Sequence, residues 1–256
     1  MQFTKSLLLL AALASTTFAR VEGHERRQAS ATSTSASTSS ASSSSSSGSY
    51  STSGFGSRTA SSGSGNTYEG NVGSPYGSNI IEISGDDAQN YQYVAKISGQ
   101  NSEPWEVVFF NKYGPDGLMN GWFGYSALKF TLNAGETKYV AFDEDTNGGF
   151  AAAPGSIPLN SGGGYASTWG EFDFGSTGNS GWSGFDVSAI TAQNAGLEVQ
   201  GMRICDEASG TCSSITPGAA QVDNAYTSAE TDVGGIGGNI SGSQGIVLDV
   251  TIDYQG

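Results

Sequence analysis

Tyr165–Cys205 reads YASTWGEFDFGSTGNSGWSGFDVSAITAQNAGLEVQGMRIC. Within it, Glu171 and Asp173 alternate with Phe172 and Phe174. A period of two is the mark of a strand that buries one face and wets the other. The stretch also carries Trp169 and Trp182, and a spaced set of carboxylates at Glu171, Asp173 and Asp186. Thr168–Phe174 and Leu197–Cys205 are therefore expected as strands.

The same pattern spreads outward. Asn79–Ser84 (NIIEIS), Tyr91–Ser98 (YQYVAKIS), Trp105–Lys112 (WEVVFFNK) and Gly245–Tyr254 are rich in β-branched and aromatic residues. Leu128–Leu132 and Thr137–Asp143 alternate about Asn133-Ala134-Gly135, which reads as a hairpin. Val222, Tyr226, Ala229 and Val233 recur near helical spacing, so one short helix is expected over Gly218–Val233, stopped by Gly234-Gly235. Many short strands between Gly-rich turns make the fold class mainly β, a single β-sandwich domain spanning 79–256.

The N-terminal third has a different character. Met1–Ala19 reads as a signal peptide, with Lys5, an apolar Leu7–Leu13 core and a small-residue cleavage site. Residues 20–27 (RVEGHERR) read as a propeptide ending in a dibasic pair. Residues 28–78 are dominated by Ser, Thr and Gly and are expected to be a disordered linker, open to O-glycosylation. The protein is thus expected to be secreted, extracellular or wall-associated, and a monomer.

Charge and residue counts narrow the chemistry. The formal net charge is −14, and residues 28–256 hold 6 basic and 22 acidic residues, or −16. Such a surface repels nucleic acid and anionic membranes. His24 lies in the leader, so the processed chain has no histidine. That removes Ser-His-Asp and Cys-His catalysis and histidine-ligated metals. Cys205 and Cys212, in a secreted chain, read as a disulfide closing a small loop.

Three sets of residues remain for chemistry. Asp143, Asp145 and Asn147, followed by Gly148, match the opening of a calcium loop; the alternative is a solvated acidic turn. The solvated turn is the favoured reading, so no cofactor is expected, with calcium the one candidate. Glu171, Asp173 and Asp186 offer the carboxylate pair that glycoside hydrolysis requires; the alternative is structural acids. Trp105, Trp122, Phe123, Tyr125, Trp169 and Trp182 could build a carbohydrate platform or simply the core. Asn239-Ile240-Ser241 is an N-glycosylation sequon.

The runs WEVVFFNKYGPDGLMNGWFGYSALKFTLNAGETKYVAFDE from Trp105, YASTWGEFDFG from Tyr165, GWSGFDVSAI from Gly181, NAGLEVQGMRIC from Asn194 and VDNAYTSAE from Val222 closely resemble the fungal Asp f 4 allergen family. The leader's GHERR, Gly23–Arg27, resembles that family's too. The resemblance covers nearly all of Asn79–Tyr254. It implies a secreted fungal protein bound by host IgE and associated with the cell surface or culture medium; it brings no substrate. A fainter resemblance, in TWGEFDF, FDVSAI and AGLEVQGM, is to thaumatin-like sandwiches. Those line an acidic cleft, and some members bind or cleave β-1,3-glucan. There Glu171 and Asp186 match cleft acids, while Ala195 stands where another aspartate is expected and that family's many disulfides are missing. Two functions follow: a non-enzymatic surface protein touching wall glycans, or a carboxylate-dependent β-glucan hydrolase.

Overall fold

The computed structural model describes residues 49–242 and 244–256. The expected signal peptide, propeptide and residues 28–48 of the linker lie outside the described residues.

Two sheets pack face to face. The first has seven strands in the order β1 (Ile80–Ile83), β5 (Lys138–Phe142), β2 (Tyr93–Gly99), β13 (Ile246–Ile252), β9 (Met202–Asp206), β10 (Cys212–Ile215) and β11 (Val222–Asp223). The second has six, in the order β12 (Gly238–Ile240), β8 (Trp182–Ser188), β7 (Trp169–Ser176), β6 (Thr146–Pro154), β3 (Trp105–Asn111) and β4 (Ser126–Leu132). Neighbours are antiparallel except β2 and β13, which run parallel at the centre of the first sheet.

The core lies between the sheets. β13 shows how sequence dictates this: Ile246, Leu248, Val250 and Ile252 are buried, while Val247, Asp249 and Thr251 are half-buried. Phe109, Phe150, Phe172, Phe174 and Phe185 enter the core from the second sheet and Phe142 from the first. The Phe142 and Phe172 rings stand 4.7 Å apart and the Phe109 and Phe150 rings 5.0 Å apart. Gly170 is required here: a Cβ on it would lie 2.2 Å from the Phe150 ring. Cys205 and Cys212 are directly opposite on the β9–β10 hairpin and form the expected disulfide.

Three expectations change. Leu128–Leu132 and Thr137–Asp143 are not a hairpin: β4 pairs with β3 in one sheet, and β5 pairs with β1 and β2 in the other. The Asn133–Glu136 turn is a corner between sheets, which lets Leu132 and Val140 both reach the core. The helix expected over Gly218–Val233 is absent; that span holds β11 and single 3-10 turns at Pro217–Ala219 and Ser228–Glu230. Val222 and Val233 are 41% and 46% exposed, so the periodic residues form no buried stripe. Among the described residues the one α-helix, α1, is Ile190–Ala195, closed by Gly196 at φ 66°.

The third change concerns the start of the folded part. Residues 50–78, assigned to the linker, wrap the sandwich as a strap. Ser57 and Ser74 pair across it. The Arg58 guanidinium donates to both Asp143 carboxylate oxygens at 2.8 and 2.6 Å. Tyr68 is buried and its hydroxyl donates to Asp145 Oδ1 at 2.6 Å. Asn79 Nδ2 donates to Asn71 O at 2.8 Å and to Asn111 Oδ1 at 2.7 Å, tying strap and sheet together.

Candidate functional site

The outer face of the six-stranded sheet carries the carboxylates. Because Phe172, Phe174, Phe185 and Val187 point inward, alternation sends Trp169, Glu171, Asp173 and Asp186 outward. Strand register then sets them in rows. Trp169 faces Ala151 on one side and Ser188 on the other. Glu171 lies between Gly149 and Asp186. Asp173 lies between Asn147 and Gly184, and Gly184 faces Asn239 on β12.

This face is covered as well. Trp122 and Ile157, from two long loops, pack with Val108, Phe110, Ala151 and Trp169 in a second apolar cluster. Gly237 runs so close that a Cβ there would stand 2.7 Å from Asp186 Cβ. Glu171 and Asp186, direct partners across the β7–β8 ladder, are therefore only 3% and 2% exposed. Burial pushes both carboxyls up, and for Asp186 the Glu171 charge adds to the effect. Burial also pushes Asp173 up to about 7, against a hydrogen bond from Ser176. Lys112, buried beside them, is pushed down to about 8 by desolvation, partly offset by Asp173 and Glu171.

Glu171 Oε1, Asp173 Oδ1 and Asp186 Oδ1 find no N–H or O–H donor among the described residues. They line a cleft with Asn179, Gly184 and Asn239 whose free volume is about 10 Å³, room for one water. The three sequence candidates are thus brought together. Their arrangement suits holding a proton and accepting hydrogen bonds; it leaves no gap for a sugar ring.

The calcium triplet is not assembled. Asp143 is taken by Arg58 and by Asn71 Nδ2 at 3.0 Å. Asp145 accepts from Tyr68 and from the Thr177 amide at 2.9 Å. Asn147 sits within β6, on the outer face beside Asp173. Among the described residues, no group of three acidic, His or Cys side chains is set to hold a metal. The aromatic candidates form no exposed platform: Trp105, Trp122 and Trp169 are buried, Trp122 against both Trp169 and Phe123, and Phe123, Tyr125 and Trp182 are only half-exposed.

A second concavity escaped sequence reasoning. A cleft of about 210 Å³ lies between the strap and the edge of the sandwich, lined by Tyr50, Phe55, Arg58, Tyr93, Asp143 and Glu144. Tyr93 is stacked on Phe174 at 5.2 Å, and burial pushes its phenol up to about 12. Arg58 also donates to Glu144 Oε2 at 2.7 Å; the Asp143 hydrogen bond is the largest of the effects that hold its guanidinium above its ordinary value. The only signal in the sequence is that Tyr50, Phe55 and Arg58 interrupt a Ser/Gly tract.

Residues 78–252 match the family model described as Allergen Asp f 4-like domain. Over 203 residues the chain is 54% identical to Allergen Asp f 4 of Aspergillus fumigatus, covering 78% of this chain. It spans 62% of that relative's length. Among solved structures, the protein elicitor MoHrip2 from Magnaporthe oryzae aligns with 63% of this chain and 99% of its own, at 11% identity and a TM-score of 0.39.

Proposed function

The chain belongs to the Asp f 4-like allergen family, and from that premise we propose that it is a secreted fungal surface protein that binds wall polysaccharide without cleaving it. IgE of sensitised hosts recognises it as it does an allergen. The leader and the disulfide support secretion. The observation that carries the glycan reading is the 210 Å³ strap cleft. Sugar rings present apolar C–H faces and hydroxyl edges. The cleft offers aromatic rings from Tyr50 and Phe55 and planar charged groups from Arg58 and Glu144.

The hydrolase reading has one observation in its favour: Glu171, Asp173 and Asp186 share a face. Glycoside hydrolysis needs its two carboxyls about 5–9.5 Å apart with the sugar between them. Glu171 and Asp186 are instead direct cross-strand partners, almost fully buried, in a cleft with room for one water. Binding without cleavage is the better reading.

The test is co-sedimentation of the secreted protein with insoluble β-glucan and with chitin, with mass analysis of soluble products. Retention on one polymer, weakened by Tyr50→Ala and unaccompanied by shortened glycan, is the expected result. Recovery entirely in the supernatant would remove the binding function. Released oligosaccharides that vanish in Glu171→Gln would establish the hydrolase instead.

A further inference from the structure

Three side chains stand in one row on the outer face of the six-stranded sheet. Val108 and Phe110 point outward from β3 into the second apolar cluster, so Lys112, two residues on, points outward as well. Its amine feels the Asp173 and Glu171 charges of that face. The Lys112 amide donates to Asn147 O at 3.0 Å, which sets the two residues opposite each other. Asn147 in turn faces Asp173 across β6 and β7. Lys112, Asn147 and Asp173 thus follow one another at one strand spacing each, about 4.8 Å.

The row is dry. Lys112 and Asn147 are buried, and the strap passes so close that a Cβ on Gly70 would stand 3.3 Å from Asn147 Cβ. Asn147 Oδ1 and Asp173 Oδ1 are both buried and find no donor among the described residues. Burial favours a neutral amine and a neutral acid: Lys112 is pushed down to about 8 and Asp173 up to about 7. A neutral amine is a nucleophile and a neutral carboxyl is a proton donor. The Asn147 amide lies between them, and a protonated Asp173 supplies the donor that Asn147 Oδ1 lacks. A lysine amine reaches about 6 Å from its own Cα, enough to fold over a partner one strand away. Glu171 and Asp186 in the next row, and Asp145 beside Asp173, are the other charged groups around the row.

We propose that Lys112 and Asn147 join in an intramolecular isopeptide bond, with Asp173 as the acid and base that moves the proton. The Lys112 Nζ lone pair attacks Asn147 Cγ while Asp173 protonates Oδ1 and takes a proton from Nζ. The tetrahedral carbon then re-forms its carbonyl, the Cγ–Nδ2 bond breaks, and Nδ2 leaves as ammonia with the proton that came from Nζ. Asp173 ends protonated, as it began, and nothing is oxidised or reduced. The bond ties the end of β3 to β6 and closes the chain between residues 112 and 147, which removes freedom from the unfolded state as a disulfide does. Reaction needs the amine and the acid neutral together, so it is fastest between about pH 7 and 8 and on the order of 50-fold slower near pH 5, where Lys112 is protonated. Protein held near pH 5 stays unlinked and titrates as the free pair. The inference does not depend on polysaccharide binding.

The experiment uses the full chain secreted from a fungal host, incubated for days near pH 7.5 and, in parallel, near pH 5. Each sample is reduced, digested with trypsin and mapped by mass spectrometry. An acylated lysine is not cut, so the linked chain should give one branched peptide in which residues 97–129, uncut at Lys112, are joined to residues 139–203. Its mass should fall short of the two peptides together by one ammonia, about 17 Da. The branched peptide should accumulate near pH 7.5 and hardly at all near pH 5. Asp173→Asn should slow its formation at least 100-fold, the lower end of what a positioned acid and base contributes, while circular dichroism reports the same fold. Complete cleavage after Lys112 at both pH values would overturn the proposal. So would a loss of ammonia confined to residues 139–203, because Asn147 would then have closed on the Gly148 backbone nitrogen instead. A branched peptide that forms at the parent's rate in Asp173→Asn would remove Asp173 from the reaction. The map of the parent chain decides the bond itself whether or not the variant folds.

Discussion

The two faces of β7 share a backbone and little else. Inward, Phe172 and Phe174 stack at 5.4 Å and join a core of rings. Outward, Glu171 is buried and the Asp173 carboxyl is shielded, both among acids and Lys112. Alternation alone would leave the outward face wet; two loops and the approach to β12 cover it. The difference teaches that burial has no fixed sign. Removing an apolar ring from water stabilises the fold, whereas removing a carboxylate costs free energy until the group takes up a proton or a partner.

The largest test of that contrast is on the inner face. Phe172→Ala should destabilise by about 3–5 kcal/mol, the range for a buried phenylalanine truncated in a core that cannot collapse. Chemical denaturation at pH 5 measures it. A loss below about 1 kcal/mol would mean that the ring stack is not what holds β7 to the opposite sheet.

The outer face should be read by pH. Asp173 titrates near 3.8 when unfolded and about 7 when folded. Its folded pKa is raised, so its contribution is fully present below about pH 4 and is lost as pH climbs through 7. Lys112 has the opposite sense: its folded value, about 8, lies below its ordinary 10.5. The folded protein therefore favours the neutral amine, and stability returns as pH rises from 8 toward 10.5. The cluster's contribution is smallest between pH 7 and 8, after a fall on the order of a few kcal/mol at ~1.4 kcal/mol per pKa unit. Asp173→Asn keeps the shape and should flatten the descending limb while leaving stability at pH 4 unchanged. An unchanged limb in that variant would place the titration elsewhere.

A smaller effect separates the members of the cluster. Lys112→Met removes the positive charge that opposes the upward shifts of Glu171 and Asp173. Both should then titrate higher, moving the descending limb to higher pH and erasing the recovery above pH 8. Melting curves taken from pH 4 to 10 would register this; a recovery that persists without Lys112 belongs to another base.

How much of this was legible follows from which contacts are local. The alternation in Trp169–Phe174 specified a strand and its two faces, because a period of two is a property of neighbours. It could not specify the lid, because Trp122 and Ile157 arrive from distant loops. The β4–β5 corner and a hairpin share the same turn residues and differ only in where the strands pair. β6 was invisible because Gly148, Gly149 and Ala151–Ala153 are small enough to be buried on both faces without looking apolar. The calcium motif in Asp143–Asn147 depended on spacing, yet the partner of Asp143 is Arg58, 85 residues away. The strap was masked by its own composition: Tyr68 and Asn71 do the packing among serines and glycines that say nothing.

The strap also supplies the mildest perturbation. Arg58 is close to half exposed and its partner Glu144 similarly so, while Asp143 is buried. Screening by water should hold the cost of Arg58→Ala to about 1 kcal/mol or less in global stability. The local consequence is larger, because Arg58 is the charged tie between a Ser/Gly-rich segment and the end of β5. Opening there need not unfold the sandwich, since local openings have their own, smaller free energies. Limited proteolysis should therefore cut the Arg58→Ala protein within residues 50–66 well before the parent, with the disulfide-linked core surviving. Binding to polysaccharide should fall in parallel, because Tyr50 and Phe55 leave with the strap. Cleavage at the parent's rate would mean that the Asn71 and Tyr68 hydrogen bonds hold the strap by themselves, and that the outer ion pair, unlike the buried acids of β7, contributes nothing the fold needs.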